Sequence, residues 1–358
     1  MRSNSILCAL TFTIRILLIS IIGLLLILIF NEFSQVRKCV FISSNSELII
    51  VCQMRFIAYS EKKEYARGLN FSCSLHHFLN SWKIADQYSY DFKPIEDSKV
   101  VYVTYSSSNH FSEARNQIRS IRAGSKNKII FYDLGLENHQ VTELRGVCNL
   151  EMRTFKFQLF PDFVSQLMGY NFKPIIMAEV FSEFEHYWIL DTSVRFFDLQ
   201  PFIHDFYGNI TSGIIETMAM RHPSSHSIFA TTNPEMYKYL PMDISLAKSL
   251  EMLDANTIFI ARSNFTREAV KWNALCALTP DCMTPKGSNV FCSFDGDRYG
   301  KHAHCHRYDQ SSINIVVSSL LERDGWKRRD RVQDDSMRNF STIKRGDAYG
   351  IPLSIPCQ

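Results

Sequence analysis

Residues 173–198 constrain the fold more than any other stretch of this chain. They read as a helix, a tight turn, a short buried strand and an aspartate at the strand's carboxyl end. Pro174 suits a first helical position, where a missing N–H costs nothing. Ile176, Met177, Val180, Phe181 and Phe184 recur at helical spacing, and Glu179 and Glu183 fall together on the opposite, wet side. The helix is expected to end near His186. Trp188-Ile189-Leu190 has no polar residue, as in a strand covered on both faces. Such a strand requires helices above and below, which is an α/β architecture. Asp191 follows at once, where an open α/β sheet presents groups to a ligand beyond its strand ends. An aspartate there holds a divalent cation against a phosphate, or it caps the next turn. This stretch alone leaves both open.

The chain around it alternates in the same way. Residues 99–105 and 128–134 are strand-like runs of β-branched and aromatic residues. Helices are expected over 112–124 and 140–147, with an extended piece over 150–157. Strands and helices at this spacing predict a mainly parallel sheet with right-handed crossovers and helices on both faces. Beyond Asp198 the pattern predicts a helix over 199–206 and strands at 213–215 and 227–230. A helix over 244–253, a strand over 257–261 and a helix over 266–278 follow. The last helix starts near Asp309, with Ile313, Val316, Val317 and Leu320 as its apolar stripe.

With 358 residues and 46% hydrophobic content, the chain can bury a large core. A net charge of +3 argues neither for nor against nucleic acid. The basic block 327–331 has acidic flanks and reads as part of a solvated tail, so no nucleic-acid partner is expected. Residues 6–30 are apolar apart from Arg15 and a few small or hydroxyl residues, long enough for a spanning helix of roughly 20 residues. No small-x-small cleavage pattern follows, which favours an uncleaved signal-anchor in the lipid bilayer over a removable signal peptide. Nine of the ten cysteines and four acceptor sequons, at Asn70, Asn209, Asn264 and Asn339, lie after this segment. Together they point to a lumenal or extracellular body. Cys276 and Cys282 are spaced to bridge across a turn, and Cys292 and Cys305 flank a Gly/Asp loop, although spacing alone does not fix the pairing. The region lacks a Cys-x-x-Cys pair, which weighs against structural zinc.

Several runs taken together resemble a known family: 131–136, Lys173-Pro174 with its helix, 188–196, 276–282, and His306-Arg-Tyr-Asp309-Gln310. They resemble an uncharacterised animal family of single-pass membrane proteins related to nucleotide-sugar glycosyltransferases. The resemblance covers residues 97–322 and implies a Rossmann-like, GT-A-type mixed α/β domain behind a transmembrane helix. It implies a type II protein of the Golgi or another secretory membrane. Its expected parts are a tail over 1–5, an anchor over 6–30, a stem and entry to the lumenal body over 31–95 with room for a small sheet addition, a GT-A-like domain over 96–323 and a tail over 324–358. The implied partners are a nucleotide-sugar donor and a glycan or glycoprotein acceptor.

In GT-A enzymes an Asp-x-Asp at a strand end holds Mn²⁺ or Mg²⁺ and the donor's diphosphate. This chain has Asp191-Thr192-Ser193, so Asp191 matches the first position and Ser193 offers only a weaker hydroxyl. A late histidine often completes the metal site. His304, within His302-Ala-His304-Cys-His306, is the candidate, the three imidazoles sharing one face if the run is extended. Asp309 resembles the acid of an Asp-Gln pair near the acceptor side, with general-base or N-cap roles open to it. By position, Thr104, Tyr105 and Ser106 would receive the base and ribose. Arg195 would meet a phosphate or pair with a neighbouring carboxylate. The missing second carboxylate equally suits a catalytically inactive glycan- or protein-binding module on the same fold.

Overall fold

The structure is a computed structural model that describes residues 39–44, 47–221, 223–325, 332–333, 335–346 and 353–356. The anchor expected over 6–30 lies outside the described residues. No helix among the described residues is long and apolar enough to cross a membrane. The chain divides into two compact units, one of Met1–Gln53 with Asp86–Tyr88 and one of Met54–Ala85 with Ser89–Gln358. In the first, β1 (Cys39–Ser44) and β2 (Glu47–Cys52) form an antiparallel hairpin.

The second unit opens with the hairpin β3 (Met54–Ser60) and β4 (Lys63–Phe71) and the short helix α1 (His76–Ser81). These residues lie in the stretch read as a stem and entry to the body with a small sheet addition, and here they form a hairpin packed into the body. Phe56 and Phe71 are fully buried and meet the Trp272 ring at 5.6 and 5.9 Å between centroids.

The central sheet takes β5 (Val101–Ser106), β6 (Ile129–Asp133), β7 (Leu150–Thr154) and β8 (His186–Leu190) as parallel neighbours in the order β8-β5-β6-β7. After β8 come the short β9 (Val194–Phe196), β10 (Met218–Met220), β11 (Pro223–Ser227) and β12 (Glu251–Leu253), then β13 (Thr257–Ala261). Strand β13 joins β8 antiparallel, and β10 closes that edge against β13. The mixed, mainly parallel sheet matches the expected class.

Helices cover both faces. On one, α2 (Phe111–Gly124) and α5 (Leu199–Thr211) pack Phe111, Ile118, Leu199, Ile203 and Phe206 onto Tyr102, Phe131, Trp188 and Phe259. Trp188 is completely buried there, stacked on Phe206 at 5.2 Å, with its indole N–H donated to the Tyr207 hydroxyl at 3.2 Å. Beside β6 and β7, α3 (Asn138–Arg145) crosses between them. The other face carries α4 (Phe172–Glu183), α7 (Asn264–Ala277) and α8 (Tyr308–Arg323); the short α6 (Ile244–Ser249) precedes β12.

Several expectations are corrected. Helix α4 is not one-sided: nine of its residues are buried, and Glu179 is half-buried rather than on a wet face. Burial pushes the Glu179 carboxyl above its ordinary range, with a hydrogen bond from Tyr132 partly opposing it. Pro174 is the third helical residue, still among those whose N–H has no helical partner. Residues 213–215 are the cap of α5, because Gly213 takes φ +73° and the Ile214 and Ile215 amides turn back to the Asn209 carbonyl. Residues 227–230 enter a 3-10 turn, Phe229–Thr231, and 244–253 splits into α6 and β12.

The expected C-terminal tail is also partly core. Strand β14 (Ser341–Ile343) pairs antiparallel with β9, and Phe340 is fully buried against Trp188 and Phe196. Removing a buried phenylalanine ring costs about 3–5 kcal/mol. Phe340→Ala is therefore expected to lower the chemical-denaturation midpoint of the whole body; an unchanged midpoint would mean that the segment does not contribute to the core.

Candidate functional site

From β5 the chain steps to β6 and β7 on one side, then returns to β8 on the other. Adjacent strands leaving in opposite directions open a crevice beyond their carboxyl ends. A cleft of about 840 Å³ lies there. Tyr105 and Ser106 end β5, Asp191 to Ser193 follow β8, and Lys173 and Asp309 come from the first turns of α4 and α8.

At its floor the Lys173 ammonium lies between two carboxylates. Its Nζ is 2.9 Å from Asp191 Oδ1 and 2.7 Å from Asp309 Oδ2, and it donates to the Ala255 carbonyl at 3.1 Å. The lysine side chain is 4% exposed, that of Asp309 10% and that of Asp191 26%, so Asp191 is the carboxylate open to the cleft. Burial works to lower the lysine's pKa, but Asp191 and Asp309 outweigh it and hold the ammonium well above its ordinary value. Burial raises the Asp309 carboxyl above its usual range against the pull of Lys173. The Tyr105 hydroxyl donates to Asp191 Oδ1 and stays protonated, pushed far up first by burial and then by Asp191. Gln117 holds the Asp191 backbone carbonyl, and its own Oε1 accepts from Thr104 at 2.6 Å.

The rest of the cleft supplies cations and rings. Arg298, Arg307 and Arg345 line it. Arg307 Nε is buried without a hydrogen-bond partner, and burial followed by the neighbouring Arg345 lowers the pKa of its guanidinium. The Arg298 guanidinium lies 4.0 Å from the Phe294 ring centroid and donates to the Ser225 carbonyl at 2.6 Å. Tyr170 and Tyr308 face one another at 6.0 Å, both in the left-handed region at φ +54° and +41°. A bulky residue held there costs on the order of 1–3 kcal/mol, and such strain concentrates at ligand sites.

The structure brings Tyr105, Ser106, Asp191, Ser193 and Asp309 to this cleft and leaves out Thr104, Arg195 and His304. Thr104 is buried behind it, bonded to Gln117 and to the Leu190 carbonyl. Arg195 is also buried, and its Nη1 donates to the Thr192 and Val194 carbonyls, so it braces the turn instead of meeting a phosphate. His304 is exposed on a loop at φ +54° and does not line the cleft. His306 is inside, its Nδ1 accepting from the Asn233 amide at 3.1 Å and its Nε2 donating to the Met283 carbonyl at 3.0 Å. The rings of His302 and His304 lie 5.8 Å apart, but the buried His306 does not join them on one face.

Both cysteine pairings appear, with S–S distances of 2.08 Å for Cys276–Cys282 and 2.09 Å for Cys292–Cys305. Asn70, Asn264 and Asn339 are exposed, and Asn209 is half-buried in the last turn of α5. Lys173, Arg307 and Arg345 escaped sequence reasoning. The available signal was a lysine amid apolar residues of a helix that the sheet buries.

The implied Mn²⁺ or Mg²⁺ does not fit these residues. Asp191 Oδ1 is shared by the Lys173 ammonium and the Tyr105 hydroxyl, the Asp309 carboxylate is tied to the same ammonium, and His304 is elsewhere. Among the described residues, no group of three or more His, Cys, Asp or Glu side chains is placed to hold a metal.

A family model described as a protein of unknown function (DUF1647) matches residues 39–178. No curated protein matches the chain. Solved structures similar to it include glycosyltransferases. The galactosyltransferase LgtC, in complex with donor and acceptor sugar analogs, is 11% identical with a TM-score of 0.34, over 61% of this chain and 70% of its own. Core-mannan synthase A from Aspergillus fumigatus, in its Mn/GDP form, is 12% identical at TM-score 0.36, over 65% and 73%. Mouse xyloside xylosyltransferase 1 is 7% identical at 0.34, over 66% and 83%.

Two outcomes follow from the geometry. Lys173→Met leaves the buried Asp309 carboxylate and the half-buried Asp191 carboxylate uncompensated, so it is expected to cost about 3–5 kcal/mol in chemical denaturation; a neutral result would mean that the carboxylates do not depend on the ammonium. Burial, opposed by the Met283 hydrogen bond, depresses the His306 pKa to about 4. Its neutral form thus stabilises the fold above pH about 6.5, and this contribution, on the order of 3 kcal/mol, is lost as pH falls toward 4. His306→Gln should flatten the pH dependence of unfolding in that window.

Proposed function

We propose that the protein transfers a sugar from a nucleotide-sugar donor to a hydroxyl on a glycan or glycoprotein. The observation that carries this reading is the cleft at the strand-order switch, which joins arginines and aromatic rings on its walls to an open carboxylate at its floor. Guanidinium groups suit a diphosphate, with fork-like donors that match its oxygens. Tyr170 and Tyr308 offer ring faces to a base or sugar. Asp191, positioned by Lys173 and Tyr105, is the accessible base. It takes the proton of the acceptor hydroxyl as that oxygen bonds to the sugar carbon, and the nucleoside diphosphate departs toward the arginines. Asp309 is too covered for that part and positions Lys173 instead. The two disulfides and the exposed asparagines support placing this activity in the secretory pathway, with the body lumenal and residues 6–30 in the bilayer. The Mn²⁺ or Mg²⁺ that the family resemblance implies has no part in this reading.

A non-catalytic binding module remains the second reading, favoured by the ion pair that already occupies Asp191. Thermal unfolding with UDP, GDP and CDP tests the donor site, since a ligand at a hundred times its Kd adds about 2.7 kcal/mol. Arg307→Ala is expected to weaken the nucleotide that binds. Asp191→Asn should keep that binding and lower sugar-nucleotide turnover by about 10²–10⁴-fold. Binding without turnover in the wild type would favour the module, and no binding at all would remove both donor and reading.

A further inference from the structure

In this cleft the Asp191 and Asp309 oxygens that a divalent cation would use are taken by a lysine side chain. We propose that Lys173 is the resident cation of the site, and that it makes nucleotide binding independent of divalent metal. This inference rests on the nucleotide-sugar reading for its ligand, but its geometric part stands apart from it.

Three observations carry it. First, all three ammonium hydrogens have an acceptor: Asp191 Oδ1 at 2.9 Å, Asp309 Oδ2 at 2.7 Å and the Ala255 carbonyl at 3.1 Å. The lysine is thereby fixed at a defined point, and these three acceptors are oxygens of the kind hard cations prefer. Second, the available oxygens are too few for a second cation. A divalent ion on Asp191 Oδ1, at a bond length of about 2.1 Å, could lie no more than about 5 Å from the ammonium, since Nζ is 2.9 Å from that oxygen. The Tyr105 hydroxyl already occupies part of that oxygen's approach, and Ser193 adds one neutral oxygen where an Asp-x-Asp would add a carboxylate. Third, the charge a diphosphate needs comes from elsewhere, since Arg298, Arg307 and Arg345 line the same cleft. Lys173 balances the floor carboxylates, and the arginines face the ligand.

The test is a Mn²⁺ titration of the full-length protein without nucleotide, read by the electron-spin resonance of free Mn²⁺, beside the UDP and GDP thermal shifts in excess Mn²⁺ and in EDTA. Wild type is expected to leave the free Mn²⁺ signal undiminished. Lys173→Met, with two carboxylates facing a vacated point, is expected to reduce that signal. The nucleotide concentration giving half the thermal shift should agree within about twofold in Mn²⁺ and EDTA. Uptake of Mn²⁺ by the wild type, or a nucleotide shift that EDTA abolishes, overturns the proposal. If Lys173→Met does not fold, the wild-type titrations decide. If no nucleotide shifts the protein under either condition, the transferase reading and metal-free nucleotide binding fail together. The Mn²⁺ titration then still decides the lysine's occupancy of the cation position.

Discussion

The Lys173 ammonium, held between Asp191 and Asp309, is the interaction on which the site depends. It joins the second residue of α4, the residue after β8 and the second residue of α8, three segments far apart in sequence. Desolvating three charges is costly, and an apolar substitute of similar shape can equal the pair in stability. What the arrangement supplies is position. It fixes the strand end against two helix starts, and it leaves one carboxylate facing the cleft with the other shielded.

The same arrangement divides the cleft electrically. At the floor, one ammonium answers two carboxylates. On the walls, Arg298, Arg307 and Arg345 face the ligand space, with the Arg307 guanidinium partly desolvated. A low-dielectric wall makes such charges count for more than they would in water. The two tyrosines at positive φ add a backbone cost beside these groups. Packing around them must hold that strain in place.

The four inner strands of the sheet were legible because they are covered on both faces, which leaves a direct mark in the sequence, whereas the three-residue edge strand β10 was missed. Residues 101–106, 129–133, 186–190 and 257–261 are continuous or nearly continuous apolar runs, and each became a strand. The helix before β8 was legible as a helix but not as a buried one, because Glu179 looked like a wet face and Tyr132 supplies its partner from another strand. Asp191 and Asp309 were legible from their places at a strand end and a helix start. Lys173 was not, because spacing does not report which charges meet across 136 residues. Arg195 was legible as a phosphate-binding or structural arginine, but not as one bonded to turn carbonyls, which can claim a guanidinium as readily as a phosphate can. The cysteine pairs were marked by short separations, whereas β14 carries only Ser-Thr-Ile and finds its partner far back in the chain.

That distant pairing bears on the order in which the molecule can be made. Residues 341–346 fasten onto β9 and α2, with the Lys344 amide on the Ser193 carbonyl at 2.8 Å and the Gly346 amide on Glu113 at 2.7 Å. The central sheet has every one of its strands by residue 261. During synthesis from the N-terminus, it can therefore assemble while the place of Phe340 on Trp188 stands vacant. Until the last segment arrives, an apolar hollow is open and the cleft lacks Arg345. A nascent chain at that stage presents the aromatic surface that chaperones bind, and completion of the cleft coincides with its concealment.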